Sequence, residues 1–186
     1  AIIHTGYDAA PGTLESQLVV AANPMYDELT KDLDIPFERI GAVLPAFTGE
    51  QFEKLPAIKE KAFQNHVYDV EYLSREELLL KEPELNPEVK GGLYIPRESI
   101  IDPFILVQAL AENANENGVD FMLNTEVTDI RTAEGSVTAV VTTQGEIETS
   151  YVVNAAALHC DDIAAMVGKA DYKVVARRGQ FYILDK

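Results

Sequence analysis

A chain of 186 residues is long enough for one ordinary domain or two small ones. Its 47% hydrophobic and 25% charged residues are the usage of a folded globular chain, which excludes a disordered or collagen-like one. Lys and Arg total 15 against 31 Asp and Glu, and the resulting formal charge of −16 repels nucleic-acid backbones and anionic lipid surfaces, so nucleic acid is excluded as a partner.

Thr13 is placed to cap a helix whose apolar residues Leu14, Leu18, Ala21, Ala22, Met25, Leu29 and Leu33 recur at three- and four-residue spacing, with Pro24 bending it midway. Residues 36–47 (PFERIGAVLPAF) carry β-branched and aromatic side chains between turn formers and predict one strand, with an edge or bulge at Pro45. A charged helix over 50–65 follows. Ser74 and Glu77 form a capping box that opens a helix over 75–81, ended by Pro83. Gly91 and Gly92 introduce a strand over 93–96, and Asp102-Pro103 joins a capping carboxylate to a proline at the first helical position. That helix runs to a left-handed cap at Gly118, and a strand over 119–124 is predicted after it. Residues 128–131, 137–143 and 147–154 predict three strands in antiparallel hairpins through Gly135 and Gln144-Gly145, the last entering the interior at Tyr151-Val152-Val153.

Three stretches carry chemistry. The first, Ile2 to Asp8, sets His4 and Tyr7 on either side of Gly6, which permits a backbone turn that other residues resist. His4 can act as a general base and Tyr7 can hydrogen-bond a substrate oxygen; a half-buried structural histidine and an interface tyrosine fit the same residues. The second, Tyr151 to Ile163, passes from an apolar strand through small residues into a helix, where backbone N–H groups can approach a ligand closely and a helix N-terminus favours an anion. A tight turn in which the alanines only allow close packing fits equally, and Asp161 and Asp162 read as residues that complement the helix dipole. The third, Arg177-Arg178-Gly179-Gln180, places two guanidinium groups ahead of an apolar strand, suited either to clamp a carboxylate or phosphate or to pair with the abundant acidic residues. His66 and His159 have no partners at metal-ligand spacing, so no metal is expected.

The single cysteine, Cys160, forms no internal disulfide and no thiolate cluster, which fits a reducing compartment and gives a cytoplasmic expectation. No apolar stretch approaches the roughly 20 residues of a membrane span, so no integral membrane segment is expected. The chain opens Ala1-Ile2-Ile3-His4 without an initiator Met, and is expected to be a piece of a longer protein.

Taken together, the chain resembles the FAD-dependent oxidoreductases of the D-amino-acid oxidase superfamily, in the branch of glycerol-3-phosphate dehydrogenases and L-2-hydroxyglutarate oxidases. The segments that carry the likeness are IIHTGYDAAPGT at 2–13, IGAVLPAF at 40–47, SREELLLKEPEL at 74–85, GGLYIPRESIIDPFILVQALAENANENGV at 91–119, NTEVTDI at 124–130, YVVNAAAL at 151–158 and RRGQFYILDK at 177–186. The family's opening Gly-x-Gly-x-x-Gly unit and its C-terminal part are not among them. Ala157 stands where the family usually carries glycine.

The resemblance implies an α/β fold with an α+β substrate-side sheet, a truncated form of the two-domain FAD-dependent oxidoreductase fold. Residues 1–34 and 98–170 would lie on the FAD side, and 35–97 and 171–186 on the substrate side. It implies FAD as cofactor in the full-length protein, not retained by this chain alone. Thr5 and Gly6 would lie near the flavin ring, Val127 at the adenine, and Ala155, Ala156 and Ala157 near the dinucleotide. His4, Tyr7 and Arg178 would face a small anionic hydroxy substrate such as glycerol 3-phosphate or L-2-hydroxyglutarate, the electrons passing to an unknown acceptor. Two other readings fit the scaffold: a folded fragment or binding module without redox chemistry, and an amino-acid or sarcosine-type oxidase. The 91–119 and 177–186 segments favour the hydroxy-substrate branch over the latter.

Overall fold

The computed structural model describes residues 1–169, 171–180 and 182. The chain divides into two compact units, Ala1–Val119 and Asp120–Lys186.

The first unit holds two three-stranded antiparallel sheets. One is built from β1 (Ile2–Ile3), β6 (Ser99–Ile101) and β2 (Phe37–Glu38) in that order; the other from β3 (Ala42–Ala46), β5 (Gly91–Ile95) and β4 (Glu71–Ser74). Residues 36–47, which by pattern read as one strand, therefore form two strands in different sheets. The break falls at Gly41, whose φ of +74° turns the chain and whose bare Cα lets the Tyr94 ring close in; a Cβ there would meet the ring at 2.5 Å. Pro45 sits on β3, an edge strand, where its missing N–H costs no ladder bond.

The helices follow local signals closely. Thr13 caps α1 (Leu14–Ala22) by accepting the Ser16 N–H, a 3-10 turn at Asn23–Met25 carries Pro24, and α2 (Tyr26–Asp32) continues beyond it. Capping boxes open α3 (Gly49–Gln64) at Thr48 and α4 (Arg75–Lys81) at Ser74. Asp102 accepts the Phe104 and Ile105 N–H groups at the start of α5 (Pro103–Glu116). A core around Leu55, Ala62, Val67, Leu93 and Ile95 joins α3 to the second sheet, and Ile3, Ile35 and Ile101 form a smaller cluster against the first.

The second unit is a meander of β7 (Val127–Ala133), β8 (Ser136–Thr142) and β9 (Gly145–Glu148), followed by a 3-10 turn at Ala157–His159 and α6 (Cys160–Met166). Two strand expectations fail. Residues 119–124 are not a strand: the Val119 N–H closes the end of α5 on the Ala114 carbonyl beside Gly118 at φ +89°, and no described strand lies alongside the residues that follow. Residues 149–154 are not a strand either, because Thr149 turns its hydroxyl onto the Tyr151 N–H and carbonyl. Tyr151 and Val153 stand 89% and 91% exposed rather than in the interior. Residues 177–180 and 182 form no strand, and the remainder of the 177–184 expectation lies outside the described residues.

Candidate functional site

The predicted residues of the first unit follow directly on β1. Ile2 faces Ile100 and Ile3 faces Ser99, so the next step of the antiparallel register sets His4 opposite Glu98. Glu98 is 3% exposed, and each of its carboxylate oxygens is engaged. Oε1 accepts the Thr5 N–H at 2.7 Å and the Thr5 hydroxyl at 2.9 Å, while Oε2 lies 3.0 Å from His4 Nδ1. The His4 side chain stays 59% exposed.

Neighbouring groups fix the segment. Asn23 donates through Nδ2 to the carbonyls of His4 and Arg97, and Asn65 donates to those of Gly6 and Ala9. Gly6 has φ +83°, and a Cβ there would approach Val20 Cγ2 to 2.9 Å, so contact with α1 by itself requires glycine. Tyr7 packs against the larger core. Burial, then the charges of Asp8 and Glu98, push its phenol above the usual value, so it is a neutral donor at ordinary pH.

Two arginines close the polar layer. Arg39 holds Asp27 through two bonds of 2.6 and 2.8 Å, and Arg97 holds Asp69 through two of 2.6 and 2.9 Å. Sequence reasoning singled out none of Glu98, Asn23, Asn65, Arg39 and Arg97. The one signal that could have exposed Glu98 is the β1–β6 register, which becomes visible only once the strands pair.

In the second unit a cavity of about 230 Å³ is lined by Val127, Ile130, Val140, residues 152–156 and Ile163. Three predicted cofactor residues, Val127, Ala155 and Ala156, therefore share one hollow. Its lone polar side chain, Asn154, donates to the Cys160 carbonyl at 2.7 Å and accepts the Ala156 N–H at 3.2 Å. This apolar lining, without a cationic side chain, suits a flat nucleobase and offers nothing to a pyrophosphate. Ala157 follows the lining residues, with φ +49°.

Asp161 accepts the Val174 N–H at 3.0 Å, a bond that holds its carboxyl below the usual range, and Asp162 lies 3.3 Å from His159 Nδ1. The two carboxylates thus tie down their surroundings as well as complementing the helix dipole. Arg177 and Arg178 are exposed and outside regular structure. Among the described residues no cluster of three or more His, Cys, Asp or Glu could hold a metal ion, and no helix is long and apolar enough to cross a membrane.

Known proteins are similar to this chain in sequence and in fold. The chain is 41% identical over all its 186 residues to a glycerol 3-phosphate dehydrogenase of Caloramator mitchellensis, covering 38% of that protein. It is 26% identical along its full length to an L-2-hydroxyglutarate dehydrogenase of Indibacter alkaliphilus, covering 46% of it. The solved structure of L-α-glycerophosphate oxidase from Mycoplasma pneumoniae with FAD bound superposes with a TM-score of 0.77 at 29% identity, over 89% of this chain and 44% of that one. The chain thus spans less than half the length of each. The model of the FAD dependent oxidoreductase family matches residues 1–186, and the chain belongs to that family.

Proposed function

We propose that the complete protein oxidises a small anionic hydroxy compound, glycerol 3-phosphate or a 2-hydroxy acid such as L-2-hydroxyglutarate, with FAD as its cofactor. The observation that carries this reading is the His4–Glu98 pair beside the neutral phenol of Tyr7 in a segment pinned by Asn23 and Asn65. Support for the substrate class comes from the dehydrogenases and the oxidase named above.

When bound, FAD supplies the hydride acceptor. Nε2 of His4 takes the proton of the substrate hydroxyl, and Tyr7 donates a hydrogen bond to a substrate oxygen. Thr5 and Gly6 lie at the flavin end of the cofactor. Val127, Ala155, Ala156 and Ala157 lie at its nucleotide end, a placement supported by the apolar hollow that three of them share. Arg178 clamps the carboxylate or phosphate of the substrate. Residues 1–34 and 98–170 form the FAD side, and 35–97 and 171–186 the substrate side. The separation of β3, β4 and β5 from β1, β2 and β6 supports that division, although Phe37–Glu38 pair within the first sheet. The lone Cys160 supports a reducing, cytoplasmic setting.

Steady-state kinetics of the complete flavoprotein test the reading, with glycerol 3-phosphate and L-2-hydroxyglutarate as alternative substrates. Arg178→Met is expected to lower kcat/KM about a hundredfold, the loss of a bidentate charge-assisted clamp, and Arg177→Met to change it little. Tyr7→Phe is expected to cost about tenfold, one neutral hydrogen bond. Equal small effects of both arginine substitutions, with flavin content unchanged, would move the anion site elsewhere in the protein.

A further inference from the structure

We propose that Glu98 is the positioning residue for His4: its buried carboxylate holds the imidazole with the proton on Nδ1 and leaves the Nε2 lone pair free. The proposal rests on the functional reading above only where it concerns catalysis; the placement of the ring stands on geometry.

A carboxylate this deeply buried is costly unless donors surround it. Thr5 supplies two, its N–H and its hydroxyl, both to Oε1. Oε2 faces His4 Nδ1 at 3.0 Å. Two lone pairs cannot face each other at that distance, so beside an ionised carboxylate Nδ1 must carry a hydrogen. In a neutral ring the remaining nitrogen is then an acceptor. Among the described residues nothing hydrogen-bonds Nε2, and the exposed ring leaves that edge open to a substrate hydroxyl.

Both partners are held from their backbones. Glu98 lies in the turn between β5 and β6; its N–H donates to the Ile95 carbonyl at 3.4 Å, and its own carbonyl accepts the Gly41 N–H at 2.8 Å. The Asn23 amide bridges the carbonyls of His4 and Arg97, which lie diagonally across the extended β1–β6 register, one step from the His4–Glu98 pair. The nearby cations do not compete for the carboxylate, since Arg97 is engaged by Asp69 and Arg39 by Asp27. Glu98 is thus poised to orient a base without touching the reacting atoms.

Nitrogen NMR of the histidine-labelled chain, at a pH where the rings are neutral, reads the tautomer directly. Wild-type His4 is expected to be the Nδ1–H form. Glu98→Gln keeps an oxygen for Thr5 but turns an amide N–H toward Nδ1, so His4 is expected to switch to Nε2–H, while Glu98→Asp retains the original form. His66, bonded to Tyr68, and His159, beside Asp162, serve as internal references and are expected not to move. A wild-type His4 in the Nε2–H form, or a tautomer that is the same in wild type and Glu98→Gln, would overturn the proposal.

In the complete flavoprotein Glu98→Gln is expected to lower kcat by about 10²-fold or more at nearly constant KM, the scale of general-base catalysis, with Glu98→Asp recovering part of it. A tautomer switch with unchanged kcat would uphold the positioning of the ring and overturn His4 as the base.

Discussion

Ala157 carries its side chain at φ +49°, in a region that costs an ordinary L-residue about 1–2 kcal/mol. Glycine removes that cost and adds roughly 0.5–1 kcal/mol of chain entropy in return. Ala157→Gly is therefore expected to stabilise the 120–186 unit by about 0.5–1 kcal/mol, read as slower hydrogen exchange of β7–β9 amides. A second residue-scale effect concerns Asp69, whose carboxyl is held below the usual range chiefly by its hydrogen bonds from Arg97. A depressed folded-state value means that the pair contributes fully above the unfolded pKa of about 4 and fades as pH falls through the folded one. Both side chains are about a third exposed, at 35% and 37%, so solvent screening holds the contribution under about 1 kcal/mol. Asp69→Asn is expected to lose this acid-side slope and leave stability near pH 7 modestly lower, as denaturant titrations near pH 7 and below the unfolded pKa of about 4 would show.

Elements whose signals are local were legible in the sequence, and elements that need a distant partner were not. Ser74 with Glu77 and Asp102 with Pro103 announced helix starts to the residue, because a cap is satisfied within one turn. By contrast the short strands β1, β4 and β6 went unseen, since two to four residues carry no periodicity and exist only through pairing. For the same reason the apolar runs at 119–124 and 151–153 misled: apolar alternation signals a strand only where a neighbour takes its N–H and C=O groups. The site split likewise. His4, Gly6 and Tyr7 stood out by type and order, whereas Glu98 looked like any other carboxylate until the register of β1 against β6 buried it. The helix α5 extends this reasoning to stability. It has no fully buried residue and Phe104 is 83% exposed, so little packing supports it and its cap matters more than usual. Asp102→Ala removes the acceptor of two N–H groups and is expected to cost about 1 kcal/mol of helix stability. Amide exchange in α5 should accelerate while α3, anchored through Leu55 and Ala62, stays protected.

Charge, cavity size and local electrostatics decide how the chain of 186 residues handles the cofactor of its family. A dinucleotide needs an apolar slot for its base and cationic or N–H donors for its phosphates. The hollow beside Val127, Ala155 and Ala156 meets the first need, but at about 230 Å³ it lies below the range of roughly 300–1,000 Å³ that encloses a drug-sized ligand. The second need is met poorly. The first turn of α6 already carries Asp161 and Asp162, whose charges oppose a phosphate there, and the whole chain bears −16. The Thr5 N–H and hydroxyl are already committed to Glu98. Purified as these 186 residues and mixed with excess FAD, the chain is expected to lose the flavin on gel filtration, leaving a colourless protein peak. Added salt, which screens the repulsion, should weaken this loss only slightly, because the shortfall is chiefly of contacts and not of charge. One equivalent of flavin absorbance that stays with the protein peak would show that the described residues suffice to hold the dinucleotide.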